Sequence, residues 1–195
     1  MTLEEGKPLG EWTAKYWQWI YSMSKGDNPL ETGNISHQNH EGKSFLCLPC
    51  TGGGEDCSRV FTMSEEDVKK DILIPVFAAA YSTAELGDNA TEDKLLSHAR
   101  DDVNNTVNME VSVDGNRLQP YYVESPPFEV QIPFNYRLED KNNVPPGRYK
   151  TMAAGYWHKL KPLCEGQHII RFGGTGYNGF YTKVQYIVNV PVSHL

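Results

Sequence analysis

The sequence predicts a single-domain fold that is mainly β or α+β: an antiparallel β-sandwich or jelly roll with an N-terminal helix and short helical insertions. The length of 195 residues suits one domain. Apolar and polar residues alternate through much of the second half, and turn residues separate the alternating segments. We expect residues 1–65 to form a helix and a Cys-, His- and Gly-rich loop region packed on residues 66–195, which form the β-rich core.

Helical patterns are confined to the first half of the chain. Aromatic and apolar side chains recur at helical spacing between Gly10 and Met23, and the segment 25–29 ends this predicted helix. Ser64 to Asp67 resembles a capping box that opens a second, short helix. Thr91 is a predicted N-cap of a third helix, whose inner face carries Leu95, Leu96, Ala99 and Val103.

The predicted strands follow the period of two that a half-buried strand requires. Asp114-Gly115 after one of them is a strong hairpin signal. The segments are 43–48, 72–80, 107–113, 128–132, 148–160, 167–172 and 180–190. Residues 31–58 are expected to be mostly irregular outside the first of these strands.

Composition and charge narrow the class of protein. Hydrophobic residues make up 39% and the net charge is −7. This content excludes intrinsic disorder, and the acidic balance argues against a nucleic-acid partner. No apolar run approaches the ~18 residues of a membrane span, so no membrane partner is expected. Acidic residues near the N-terminus, where a signal peptide carries lysines, predict a cytoplasmic protein; the alternative is a secreted protein whose signal peptide was removed.

One cluster of residues points to metal chemistry. His37 and His40 are followed by Cys47 and Cys50, and then by Cys57. Imidazole and thiolate groups are the ligands that Zn²⁺ prefers, and the Cys-x-x-Cys spacing lets two sulfurs reach one ion. The leading hypothesis is therefore a metal-binding protein with a structural zinc site drawn from these five residues.

Two other interpretations of the cysteines stay open. In an oxidising compartment, Cys47 with Cys50, or Cys50 with Cys57, forms a disulfide. In the other interpretation the thiols are small buried hydrophobes and the histidines lie in a solvated loop.

Two further classes of function compete with the metal site. The first is a metal-free β-sandwich module that binds a glycan or a peptide through an exposed aromatic strip, with quenching of Trp fluorescence by sugars as its test. The second is a hydrolase built from Ser82, His158 or His168, and Asp88. No nucleophile elbow accompanies Ser82, so whether the protein is an enzyme stays open and no catalytic residue is assigned.

Aromatic and turn residues near both ends carry a resemblance. Trp12, Trp17 and Trp19 combine with the segment 155–172, which contains Gly-Tyr-Trp, Pro-Leu and Gly-x-His, and with the strand at Ile74-Pro75-Val76. This set resembles a group of uncharacterised microbial proteins. The resemblance implies one domain and carries over no functional residue.

Overall fold

The computed structural model describes residues 9–33, 45–49, 53–54, 56–134, 136, 144–176 and 179–192. Strands make up 48% of the described residues and helices are few, which confirms the predicted mainly β or α+β class. The helices are α1 (Leu9–Tyr21), α2 (Pro29–Thr32), α3 (Thr83–Leu86) and α4 (Glu92–Val103), with a 3-10 turn at Asp67–Lys69. The strands are β1 (Phe45–Cys47), β2 (Asp56–Thr62), β3 (Asp71–Ser82), β4 (Val107–Val113), β5 (Asn116–Arg117), β6 (Tyr121–Glu124), β7 (Phe128–Ile132), β8 (Gly147–Leu160), β9 (Gly166–Thr175) and β10 (Tyr181–Val190).

The strands form two sheets. The first has the order β1-β3-β8-β6, with β7 also paired to β8, and the second has the order β2-β10-β9-β4-β5. Most pairs are antiparallel, as predicted, but β1 pairs with β3 and β2 with β10 in parallel. Both sheets are therefore mixed. The chain leaves β1, enters the second sheet as β2 and returns as β3, which supplies the crossover connection that parallel pairing requires.

Strand β2 corrects the prediction of irregular structure up to residue 58. Its residues alternate between exposed and half-buried, and none of its side chains is fully buried. The contrast between its apolar and polar positions is therefore weak. Its partner strand β10 is distant in the sequence, because the paired residues Asp56 and Lys183 are 127 residues apart. Local sequence patterns carry little information about such a distant edge pairing.

The aromatic face of α1 packs into the main core. Tyr16 and Trp157 are both fully buried and meet edge to face with ring centroids 5.1 Å apart. Trp12 packs in the same geometry on Phe45 of β1, at 4.0 Å. Such contacts add about 0.5–1.5 kcal/mol each to the burial of apolar area. The N-terminal helix thus covers the first sheet, as its spacing predicts.

Helix α4 forms a second, smaller core against β3 and β8. Ala99 and Val103 pack with Phe77 and Ala154, and the small residues on both strands let the helix approach closely. The N-cap Thr91 accepts a hydrogen bond from the backbone N–H of Lys94, as predicted. None of the helices in the described ranges combines the length and the apolar character that a membrane span needs.

Candidate functional site

The structure describes only part of the predicted zinc site. His37, His40 and Cys50 lie outside the described residues. Cys47 is fully buried in β1, and burial raises the pKa of its thiol. Cys57 is half-buried in β2, which belongs to the other sheet. No group of three or more possible metal ligands occurs among the residues that the structure describes, and the zinc site stays a prediction.

Metal analysis checks this prediction directly. Protein purified without chelator is expected to carry about one zinc per chain, because a structural site binds one ion tightly with four ligands. The double variant H37Q/H40Q is expected to lose that metal, whereas C164S, which alters the one cysteine outside the cluster, retains it. Wild-type protein that contains no metal, and whose thiols all react under native conditions, would exclude the site.

The structure does not assemble the proposed Ser/His/Asp set. Ser82 pairs with Thr151 across β3 and β8, whereas His158 lies seven residues further along β8, about 23 Å away at about 3.3 Å per residue. His158 Nδ1 instead lies 2.8 Å from the carbonyl oxygen of Gln119. His168 belongs to β9 of the second sheet, and Asp88 borders a loop cavity with Lys150.

Ser82 has a structural partner in Glu85. The backbone N–H and the hydroxyl of Ser82 both donate to Glu85 Oε2, at 2.6 and 2.8 Å, within the capping box at the start of α3. The hydroxyl of Tyr21 donates to Glu85 Oε1 at 3.2 Å. Burial raises the pKa of Glu85 more than these hydrogen bonds lower it. The seryl oxygen is thus committed to the helix cap.

The expected strip of exposed aromatics does not form on one sheet face in the described part of the chain. Tyr121 and Tyr122 are exposed, but they are consecutive in β6 and therefore point to opposite faces, and the exposed Phe134 and Phe180 lie outside the strands. Tyr121 stacks on the His158 ring, and Tyr122 meets Tyr156 edge to face.

The outward face of the second sheet carries a groove of about 550 Å³. Alternate residues of β10, from Thr182 to Val190, are buried in the core, so the intervening positions point outward. Strand register places two polar rows side by side across this face. One row consists of Asp56, Lys183, Gly173 and Glu110, and the next of Ser58, Gln185, Arg171 and Ser112.

The groove opens where Gly173 interrupts the first polar row. A Cβ at this position would collide with the backbone oxygen of Thr182, so the position cannot carry a side chain without a shift of the strands. The gap between Lys183 and Glu110 therefore stays open. On its rim, Asn108 has φ +54° at the point where the register of β4 against β9 shifts. Such bulges often re-aim side chains beside binding sites.

The groove is balanced in charge. Its lining includes two acidic residues, Asp56 and Glu110, and two basic ones, Arg171 and Lys183. Lys183 Nζ lies 2.7 Å from Asp56 Oδ2, and this hydrogen bond raises the pKa of Lys183. Arg171 Nε donates to Gln185 Oε1 at 2.9 Å. The surface offers both donors and acceptors without a net charge.

Among the groove residues, the sequence points to Cys57, as a zinc ligand, but to none of the charged residues of the two polar rows. Glu110, Arg171 and Lys183 sit at outward positions of predicted strands, where polar residues are the rule. Asp56 and Ser58 lie in the segment that was expected to be irregular. The only local signal is the glycine pair Gly173-Gly174, which sequence patterns favour as a turn and which the structure places inside β9. Comparisons with protein-family models, with curated proteins and with solved structures gave no match.

Proposed function

We propose that this protein is a β-sandwich binding module whose groove on the second sheet takes a neutral glycan. The observation that carries the proposal is the pair of polar rows around Gly173. A sugar hydroxyl both donates and accepts hydrogen bonds, and the groove supplies amide, guanidinium, ammonium and carboxylate groups at neighbouring positions. Its volume lies within the range of about 300–1,000 Å³ that is typical of small-molecule sites.

The charge balance favours a neutral ligand over an ionic one. A phosphate or an acidic peptide would meet two carboxylates in the groove, and a cation would meet Arg171 and Lys183. With a neutral, hydroxyl-rich ligand, the charged groups of the groove keep their hydrogen bonds with one another and form further hydrogen bonds with the ligand hydroxyls. The half-buried ring of Tyr181 at the end of the groove offers an apolar surface for the carbon face of a sugar.

Strand pairing favours a glycan over an extended peptide. Peptides that add to a sheet need a strand with unpaired backbone groups. Here β9 is flanked by β10 and β4, and β10 by β2 and β9, so the backbone of these two central strands is already paired, whereas β2 at the rim of the groove is an edge strand. On the floor of the groove, recognition therefore falls to side chains, which suits hydroxyl groups.

Binding is best measured by calorimetry after a screen on an array of neutral oligosaccharides. Trp fluorescence is a poor readout, because Trp12, Trp17, Trp19 and Trp157 are all buried and none lines the groove. R171A is expected to weaken binding at least about tenfold, the effect of losing a hydrogen bond from a charged donor.

The matched control is Q167A. Gln167 lies on the same strand and the same face as Arg171, bonded to Asn189 and outside the groove. Its loss is expected to leave affinity unchanged. The proposal is wrong if no neutral glycan binds, if R171A and Q167A behave alike, or if extended peptides bind the groove in place of glycans.

A further inference from the structure

A cysteine, a histidine and an aspartate meet at the other end of the second sheet. Cys164 lies in the connection between β8 and β9, His168 near the start of β9, and Asp114 in the turn between β4 and β5. His168 Nδ1 is 2.7 Å from Asp114 Oδ2, and His168 Nε2 is 3.6 Å from Cys164 Sγ. The three groups therefore stand in the order nucleophile, base and orienting carboxylate.

Asp114 is held firmly in this arrangement. Its second carboxylate oxygen accepts the backbone N–H of Ile169 at 2.8 Å. Its backbone has φ +51°, which aspartate and asparagine tolerate better than most residues, and Gly115 follows to complete the turn. The carboxylate thus fixes both the tautomer and the orientation of the imidazole ring.

His168 is set up to carry a positive charge. Both of its ring nitrogens face acceptors, because Nε2 also lies 2.9 Å from the carbonyl oxygen of Cys164. Burial lowers the pKa of His168, but the hydrogen bonds with Asp114 and with that carbonyl raise it by more than burial lowers it. The net shift of the pKa is upward. The charged imidazole lies 3.6 Å from Cys164 Sγ, where it can act as a general acid toward a group that leaves as the sulfur attacks.

The thiol is also accessible. Cys164 is exposed, whereas Cys47 is buried and Cys57 is half-buried. We propose that Cys164 is a nucleophilic thiol, served by His168 and positioned by Asp114, that takes an acyl group from an ester or a thioester. This activity does not depend on the glycan groove, which uses different residues of the sheet.

The reaction proceeds in two balanced steps. The Cys164 thiolate attacks the carbonyl carbon, a C–S bond forms, and the bond to the leaving alcohol or thiol breaks as that group takes the proton from His168 Nε2. Neutral His168 then accepts a proton from water, whose oxygen adds to the acyl carbon. The C–S bond breaks, the carboxylic acid is released, and the thiolate and imidazolium are restored.

The test uses p-nitrophenyl acetate as the probe. Wild-type protein is expected to release nitrophenol in a burst while one acetyl group appears on Cys164, located by peptide mass spectrometry. C164S is expected to lose the burst. The matched control E165Q, which changes the exposed neighbour of Cys164 in the same connection, is expected to retain it.

Two further variants test the roles of the partners. H168Q and D114N are each expected to slow acetylation of Cys164 at least about tenfold. D114N keeps a residue suited to the turn and is also expected to change the pH profile of the rate, which a purely structural role would leave in place. Circular dichroism confirms that each variant is folded. An unchanged burst in C164S, or wild-type rates in folded D114N and H168Q, would overturn the proposal.

Discussion

Replacement of Trp157 by alanine is expected to lower the free energy of unfolding by about 3–5 kcal/mol. The indole is fully buried in β8, where its ring meets Tyr16 of α1 edge to face. Its removal leaves a cavity between the helix and the first sheet and also deletes that aromatic contact. Urea denaturation followed by far-ultraviolet circular dichroism measures the change without depending on the lost tryptophan.

Phenylalanine at the same position is the matched control. Trp157 Nε1 is buried without a hydrogen-bond partner among the described residues, so W157F removes an unsatisfied donor while it keeps a ring against Tyr16. We expect W157F to lose less than about 2 kcal/mol. Y121A, at an exposed ring on the neighbouring strand, is expected to lose less than about 1 kcal/mol. Similar losses in W157A and Y121A would show that α1 is not anchored through Trp157.

The elements that the sequence predicts well are those with a local, periodic signal. Helix α4 buries Leu95, Ala99 and Val103 at helical spacing after a capping threonine, and β10 buries every second residue over its whole length. Hydrophobic periodicity over ten or more residues is decided within the segment itself. For such segments, the secondary structure predicted from the sequence agrees with the structure.

The pairing of the edge strands could not be predicted from local patterns. Strand β1 is three residues long, and β2 shows alternation without a fully buried face. Their parallel pairing depends on how the chain passes between the two sheets. A short stretch of sequence carries no information about that path. These two parallel pairs are where the mixed sheets depart from the predicted antiparallel sandwich.

The same limit applies to the site formed by Cys164, His168 and Asp114. His168 was a candidate from sequence, but in combination with Ser82, and Asp114 was assigned only to a hairpin turn. The contact between Asp114 and His168 spans 54 residues and depends on the register of β4 against β9. The predicted zinc site around Cys47 rests on residues that cluster in the sequence. Cys164 has His158 and His168 nearby in the chain, but Asp114, the third member of its site, lies 50 residues earlier.

Replacement of Asp114 by asparagine is expected to lower the free energy of unfolding by about 1–2 kcal/mol near pH 6 and by less near pH 9. Hydrogen bonds to charged groups contribute about 1.5–3 kcal/mol, and the partial exposure of the Asp114 side chain, 43%, reduces that value. Its hydrogen bonds with His168 and with the backbone N–H of Ile169 lower the pKa of Asp114, while the net shift of the His168 pKa is upward. The pair is therefore fully charged in a window between the two ordinary pKa values.

The sign of the pH dependence follows from those two shifts. The contribution of His168 is complete below its unfolded pKa of about 6.5 and is lost as pH rises through the raised folded pKa. The contribution of Asp114 is complete above its unfolded pKa of about 3.9 and is lost as pH falls through the lowered one. Urea denaturation of wild type and D114N at several pH values should therefore show the largest difference between about pH 4 and 6.5.

The exposed pair of Lys183 and Asp56 provides the control for this measurement. Both side chains are more than half exposed, at 71% and 62%, so D56N is expected to change stability by less than about 1 kcal/mol at either pH. A difference between wild type and D114N that is constant from pH 6 to pH 9 would mean that the imidazole carries no extra charge in the folded state. The aspartate would then act only as an acceptor for the turn, and the orienting role assigned to it beside Cys164 would lose its physical basis.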